Sequence, residues 1–534
     1  MSSSRSEQLH GEHTIIEHSL KHKGIALIPP PSADPRDPLR WPQHVKLLAL
    51  VATSLFNFVG TFAASGLSVA TPVLEAEFHK STVDVQPLLS FNFLLLGLGN
   101  FIWVPLAVKF GKRSILLISM GAHTAALVWT AKASTFNSLL AARCVTGFCA
   151  ASGESIVPGV VSDIFFLHER ATMMSIYVLL ISGSTAVGPM IASFMIGRLP
   201  DTWRDFTWLC FGLSLLSFVL IFLLYPESSY QRPQAPGPTD DIVLRDNNAS
   251  KSDEEGGFGH SSIQDIMPPS EQSGGGLEIV NISWLKTWSS FISYNPSISL
   301  ATAFLRPLAL IALPAVVWSA LVFGTALGAQ VALTFASPSF LMAPPYLFTS
   351  DGIGFIQFAA LIGFVMACYG GGFISDLILT RMIKKNGNTI FPEQRLVSLI
   401  PGFWVGPAGC IVVAICCSQT LSWVGVAFGY AMLSFGEVYS PNISITYVTD
   451  CFPHVASESL VAINAFKNLV AFLFLYVAVA WIQSSGWVEV YMVMFTLTSV
   501  SSLAAAALYF GRDPVHAWSN KLLRIIKVDS ERMG

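Results

Sequence analysis

Twelve apolar runs, each long enough to cross a lipid bilayer as a helix, occupy most of this 534-residue chain. A hydrocarbon core of about 30 Å takes about 20 helical residues. The runs fall at 46–70, 86–107, 114–132, 137–160, 172–196 and 204–225, then at 306–334, 352–378, 397–417, 421–445, 460–482 and 487–510. Lipid cannot satisfy an open backbone, so each run is predicted to be a helix. Only 12% of residues are charged, about half the share of a soluble domain. The expected fold class is therefore an all-α membrane protein of twelve transmembrane helices. A net charge of −3 gives no basic field to attract nucleic acid. The eight cysteines lie in or beside apolar runs and form no CxxC pair, so they read as small apolar fillers.

Basic residues set the expected orientation. Lys109, Lys112 and Arg113, then Arg381, Lys384, Lys385 and Arg395, then Arg512, Lys521, Arg524 and Lys527 all fall on one side of the twelve runs. The positive-inside rule makes that side cytosolic. Arg198 and Arg204 dissent, accompanied by Asp201 and Asp205. The domain reading is a cytosolic tail at 1–45, a six-helix half at 46–225, a cytosolic loop at 226–305, a second six-helix half at 306–510 and a cytosolic tail at 511–534. Residues 226–300 carry Pro-Gly-Pro, Asp-Glu-Glu-Gly-Gly and Ser-Gly-Gly-Gly, a composition predicted to be largely disordered. Residues 1–40 are polar, so the first run is expected to direct insertion itself.

One motif occurs in both halves. Gly153-Glu154-Ser155-Ile156-Val157-Pro158 in the fourth run recurs as Gly436-Glu437-Val438-Tyr439-Ser440-Pro441 in the tenth. A carboxylate inside a membrane helix is costly by a few kcal/mol or more, which points to function. Repeated halves with polar groups at their interface are a common transporter plan. Arg143, Gly147, Ala151, Glu154 and Pro158 fall on one helical stripe, and Tyr430, Ser434, Glu437, Pro441 and Ser444 on its counterpart, with Asn442 beside it. A proton-carrying role for Glu154 and Glu437, with Arg143 tuning the first, stands against a static polar contact between helices. Asn464, Lys467 and Asn468 share a face of the eleventh run, and Glu437 is the expected counter-charge of Lys467. Pro158 and Pro441 free backbone carbonyls and permit bending. No phosphate loop, metal cluster or catalytic triad is present in the sequence, so neither an enzyme nor a cofactor is expected.

Several segments carry a resemblance. Lys109-Phe-Gly-Lys-Arg113 resembles the loop between spans 2 and 3 of the major facilitator superfamily, with Val104 and Val108 in place of its glycine and aspartate. Gly372-Phe-Ile-Ser-Asp376, followed by Arg381, keeps that pattern in the second half. Arg143-Cys-Val-Thr-Gly147 is similar to the family's span 4 motif, and Gly183 with Gly188-Pro189 to the span 5 motif of drug:proton antiporters. Asp34-Pro-Arg-Asp-Pro-Leu-Arg-Trp41 and Pro226-Glu-Ser-Ser-Tyr230 resemble segments of its fungal branch. The resemblance implies gating loops at Lys109, Gly111, Arg113, Gly372, Asp376 and Arg381, and helix bending at Pro158, Gly183, Gly188, Pro189 and Pro441. It implies a substrate cavity between spans 1, 4, 7 and 10. Asn57, Gln330, Tyr430, Asn442, Asn464 and Lys467 are the candidates for it. The expected function is proton-coupled export of a small organic compound by a monomer in the cell membrane, a vacuolar or other internal membrane being the alternative. Proton-symport uptake of a cationic metabolite such as a polyamine, and a non-transporting receptor of the same fold, stand as rival readings.

Overall fold

The protein is described by a computed structural model covering residues 37–199, 202–230, 299–371, 377, 378, 381, 392–452 and 455–525. Among the described residues every regular element is helical. The lead-in is a single 3-10 turn, Pro38–Arg40, in which Asp37 accepts a hydrogen bond from the Leu39 amide at 3.0 Å. Helix α1 (Gln43–Gly66) runs through a 3-10 segment into α2 (Thr71–Phe78), a 36-residue path that extends well past the expected 46–70. Helix α3 (Thr82–Val85), closed by a Ser81–Asp84 capping box, leads into α4 (Pro87–Phe110). Gly111, at φ 96°, turns the chain into α5 (Lys112–Lys132). Then come α6 (Phe136–Ile164), α7 (Leu167–Ile196) and α8 (Trp203–Leu224).

The C-terminal helices are α9 (Leu300–Leu310), α10 (Pro314–Met342), α11 (Ser350–Tyr369), α12 (Ile400–Ser418), α13 (Trp423–Cys451), α14 (Ala456–Phe510) and α15 (Arg512–Ile525). The run expected at 306–334 is in fact split. Leu313 is extended, and Pro314, which has no amide hydrogen to leave unpaired, opens a new helix. The 55-residue α14 is two arms joined at Gly486, whose φ of 83° interrupts helical geometry between the runs expected at 460–482 and 487–510. Ten helices among the described residues are long and apolar enough to cross a membrane. Helix α13 is long enough, but Glu437 and a run of Tyr and Ser residues leave it more polar than those ten.

Two seams join α1–α8 to the C-terminal helices. Along α7 and α11, Phe194 meets Phe355 edge-on at 5.4 Å, and Arg198 pairs with Asp351 at 3.0 Å. Along α4 and the first arm of α14, Gln86 donates to the Leu475 carbonyl at 2.6 Å, and Phe91 packs on Phe472 at 5.6 Å. Close helix approach relies on missing side chains. A Cβ on Gly147 would stand 2.2 Å from the Asn92 carbonyl, and one on Gly188 would stand 2.6 Å from that of Phe62.

Candidate functional site

Glu154 is the centre of a buried polar cluster. Its Oε1 lies 2.5 Å from Lys467 Nζ on α14, with both side chains under a tenth exposed. Its Oε2 accepts hydrogen bonds from Asn468 Nδ2 at 2.8 Å and Asn100 Nδ2 at 3.2 Å. Asn100 is itself held by Ser155, which donates to Oδ1 at 2.5 Å. The Lys467 ammonium also stands 3.9 Å from the centre of the Phe323 ring, where the ring's negative face favours a cation. The carboxylate is thus neutralised and hydrogen-bonded at once, which a buried ion pair requires. The sequence points to Glu437 as the partner of Lys467, whereas the contact ion pair is with Glu154 and Glu437 feels the lysine only through space. The lysine crosses the seam to the N-terminal glutamate.

Glu437 occupies the equivalent place on α13 without such a shell. It is 5% exposed, and its Oε2 has no hydrogen-bond partner among the described residues. Gln330 Oε1 on α10 is in the same condition. Tyr430, two turns before Glu437, exchanges a 2.5 Å hydrogen bond with Ser337 and donates to the Leu333 carbonyl at 3.2 Å. Ser444, two turns after Glu437, meets Ser319 at 2.9 Å. Asn464 is buried on the Lys467 face, and Asn442 is half-buried.

Arg143 does not reach Glu154. Its guanidinium donates to the carbonyls of Ala63 and Ala64, each at 3.0 Å, and of Leu88 at 3.3 Å. It therefore ties α6 to the end of α1 and the start of α4. About 16 Å of helix axis separates residues 143 and 154 at 1.5 Å per residue, too far for contact. Asn57 donates to the Tyr177 hydroxyl at 2.6 Å, and that hydroxyl donates to the Glu154 carbonyl at 3.1 Å. Asn57 thus reaches the glutamate through one tyrosine.

Around Gly111, Lys112 Nζ pairs with Asp163 Oδ2 at 2.5 Å. Glu227 accepts from the amides of Lys112 at 3.1 Å and Arg113 at 3.0 Å, capping the start of α5. Arg113, 1% exposed, donates to the Phe222 carbonyl at 2.9 Å. In place of the one acid missing at Val108, Asp163 on α6 and Glu227 after α8 face this turn. Lys109 is half-buried and Arg381 exposed, while Gly372 and Asp376 lie outside the described residues. Pro158, Pro189 and Pro441 each sit inside an uninterrupted helix. Gly183 is loosely surrounded, since an added methyl group would lie 3.8 Å from the Leu361 side chain, whereas Gly188 is in close contact with α1. Sequence reasoning missed Asn100 and Phe323. An amide in an apolar run was the available signal for the first, and nothing marks the second among 38 phenylalanines.

The family model for the Major Facilitator Superfamily matches residues 53–475. The chain belongs to this superfamily. Relatives are fungal. An uncharacterised MFS-type transporter of Schizosaccharomyces pombe is 25% identical over 90% of this chain and 86% of its own length. The MFS antiporter QDR3 of Candida albicans is 24% identical over 90% of this chain and 79% of its own. The probable efflux pump mfs2 of Aspergillus flavus is 27% identical over 74% of this chain and 86% of its own. This superfamily member is therefore a multi-pass membrane transporter for a small molecule, and not an enzyme.

Proposed function

We propose that the chain is a twelve-span secondary transporter that exports a small organic compound in exchange for protons by alternating access. The observation that carries this is the Lys467–Glu154 pair, a charged contact across the seam in an apolar interior. Protonating Glu154 removes the attraction that holds α6 to α14 and leaves Lys467 free to move with the C-terminal helices. A ligand or proton shifts such an equilibrium by its differential affinity for the two states. Arg143, bound to backbone carbonyls, acts as a fixed joint that keeps α1, α4 and α6 together during the movement. Export, rather than uptake, is supported by the relatives named as an antiporter and an efflux pump.

In this reading both termini and residues 226–305 are cytosolic, the halves are 46–225 and 306–510, and the protein works as a monomer in the cell membrane. The Lys112–Asp163 and Arg395–Asp450 pairs, each at 2.5 Å, brace the cytosolic ends of the two halves.

The test is resistance and flux in yeast cells stripped of their own efflux pumps, screened against a panel of toxic small molecules. Wild-type protein is expected to protect against at least one of them, with export that stops when the proton gradient is collapsed. Glu154→Gln is expected to lose gradient-driven export at equal surface amounts. Export that persists without the gradient would exclude proton coupling.

A further inference from the structure

We propose that α15 is a membrane-surface helix that binds anionic lipid headgroups, with Trp518 and Lys521 on its lipid-facing side. The orientation given above enters only in naming the leaflet, the cytosolic one. The proposal is independent of what the protein carries.

Depth comes from the helix before it. The second arm of α14, residues 487–510, is about 36 Å long at 1.5 Å per residue, enough to cross a hydrocarbon core of about 30 Å. It ends on two rings, Tyr509 and Phe510, 5.3 Å apart, and Phe510 is 85% exposed. Tyrosine at the end of a membrane helix marks the boundary of lipid and water. Gly511 then leaves helical geometry, at φ −92° and ψ 28°, and α15 starts with the next residue. A linker of one residue keeps the start of α15 at the edge of the bilayer. Pro514 falls in its first turn, where a missing amide hydrogen leaves no bond unmade.

The helix has two unlike faces. Val515, Ser519 and Leu523 advance by four, with Leu522 beside them. Ser519 is fully buried, and the three apolar side chains pack half-buried against the core. Arg512 fixes the start of the helix, with its Nε 3.8 Å from Oε1 of the buried Glu393 in the 3-10 segment Pro392–Leu399. The outer stripe therefore has a set direction. Pro514, Trp518 and Lys521 advance by four and three, and all are exposed. A solvent-facing stripe is normally polar, yet the largest member of this one is an indole, 60% exposed. An indole pairs an apolar ring with one N–H donor and suits the headgroup level of a membrane. The Lys521 ammonium, three residues on, shares its side of the helix. From Arg512 to Lys527 the sequence holds four basic residues against one acid, Asp513. A basic segment directly after a membrane-crossing helix matches an anionic leaflet, and each basic residue near that surface strengthens attachment about fivefold. Arg395, in the same segment as Glu393, pairs with Asp450 near the end of α13. Headgroups held by α15 thus brace the base of α12 and α13.

The experiment follows amide hydrogen exchange of residues 511–525 in purified full-length protein. The protein is placed in nanodiscs of phosphatidylcholine alone, or of phosphatidylcholine with phosphatidylserine in both leaflets, so the result does not depend on orientation or flux. Exchange in α15 is expected to be about tenfold slower with the serine lipid at low salt. The slowing is expected to shrink in about 0.5 M sodium chloride, which screens exposed charges. Lys521→Glu is expected to remove the slowing and to leave exchange in phosphatidylcholine as it was. Trp518→Ser is expected to speed exchange in both discs. Both side chains are exposed, so neither change is expected to move the melting temperature in phosphatidylcholine. Equal exchange in the two discs would overturn the proposal, as would unchanged exchange in Trp518→Ser. An equal effect of Lys521→Glu in both discs would make the lysine an internal contact and overturn its role. Inorganic phosphate that slows α15 as much in phosphatidylcholine discs would replace the lipid surface by a free-anion site. Slowing spread over all helices, rather than centred on α15, would also defeat the proposal. Lipid-dependent slowing without gradient-driven export would leave the surface helix standing and sink the transport reading instead.

Discussion

Lys467 Nζ and Glu154 Oε1, 2.5 Å apart, join a helix of the second half of the chain to one of the first through the interior of the protein. Glu437, the counterpart of Glu154 in the repeated motif, has an oxygen with no partner among the described residues. Two glutamates that the sequence makes equivalent are thus electrically different. The lysine that breaks the symmetry comes from α14, and its ammonium contacts the N-terminal member of the pair while acting on Glu437 only through space.

The first prediction follows from that pair. Lys467→Met leaves the Glu154 carboxylate buried without a counter-charge, and breaking a buried pair from one side costs about 3–5 kcal/mol. The double change E154Q/K467M is expected to recover most of that stability, because the amide still accepts from Asn468 and Asn100. Pairing Lys467→Met with Glu437→Gln is expected to recover none. Melting temperatures of the purified variants decide this, and equal values for K467M and E154Q/K467M would mean the ion pair does not hold the seam.

The second prediction concerns movement at the α7–α11 seam. A Cβ on Gly197 would stand 3.5 Å from that of Ser350, within the range of about 3.5–4.5 Å that a disulfide needs. Gly197 has an ordinary helical φ of −76°, so cysteine fits there without strain. The pair G197C/S350C is expected to cross-link under mild oxidant and to arrest export, with full recovery on reduction. The native cysteines in the described residues are free and buried or half-buried, which keeps the background low. Full export by the cross-linked protein would show that this seam does not open during transport.

Much of this fold was legible because apolar length is a coarse and robust signal. The runs at 86–107, 114–132 and 204–225 match α4, α5 and α8 to within a few residues. The break before Pro314 was hidden, since Pro307 and Pro314 sit inside a stretch that is apolar but for Arg306 and whose hydropathy does not register a turn. The site was half legible. Glu154, Glu437, Lys467 and Asn468 announce themselves as polar groups in apolar helices, but which acid the lysine meets depends on how α14 sits between two sets of helices. Stripe arithmetic within one helix carries no information about that. Arg143 misled for the same reason: its carbonyl partners belong to α1 and α4, and backbone acceptors leave no trace in a sequence.

The third prediction tests the cap on α5. Glu227 accepts from two consecutive amides at that helix's start, where the helix dipole also favours a negative charge. Glu227→Ala is expected to lower stability by about 0.5–2 kcal/mol, the usual cost of losing an N-terminal cap. Glu227→Gln keeps an acceptor oxygen and is expected to lose less. The Lys112–Asp163 pair is a separate contact, so Asp163→Asn added to Glu227→Ala is expected to deepen the loss. Thermal melting of the variants gives the comparison, and an unchanged melting point for Glu227→Ala would mean that solvent replaces the cap at no cost.

The last prediction separates two glycines that the span 5 resemblance treats alike. A methyl group at Gly188 would lie 2.6 Å from the Phe62 carbonyl oxygen and 2.7 Å from Ser65 Oγ, so α7 has to move off α1 to admit it. Backbone cannot swing aside as a flexible side chain can, and overpacking of this kind costs about 1–3 kcal/mol. At Gly183 the nearest heavy atom would be 3.8 Å away, an ordinary contact. Alanine in a helix interior is favoured over glycine by about 0.5–1 kcal/mol. Gly188→Ala is therefore expected to lower the melting temperature and Gly183→Ala to leave it level or raise it. Because α1 and α7 both border the Asn57–Tyr177–Glu154 chain, Gly188→Ala is also expected to impair export beyond its loss of folded protein. Opposite or equal effects at the two positions would mean that the α1–α7 contact is looser than these distances require.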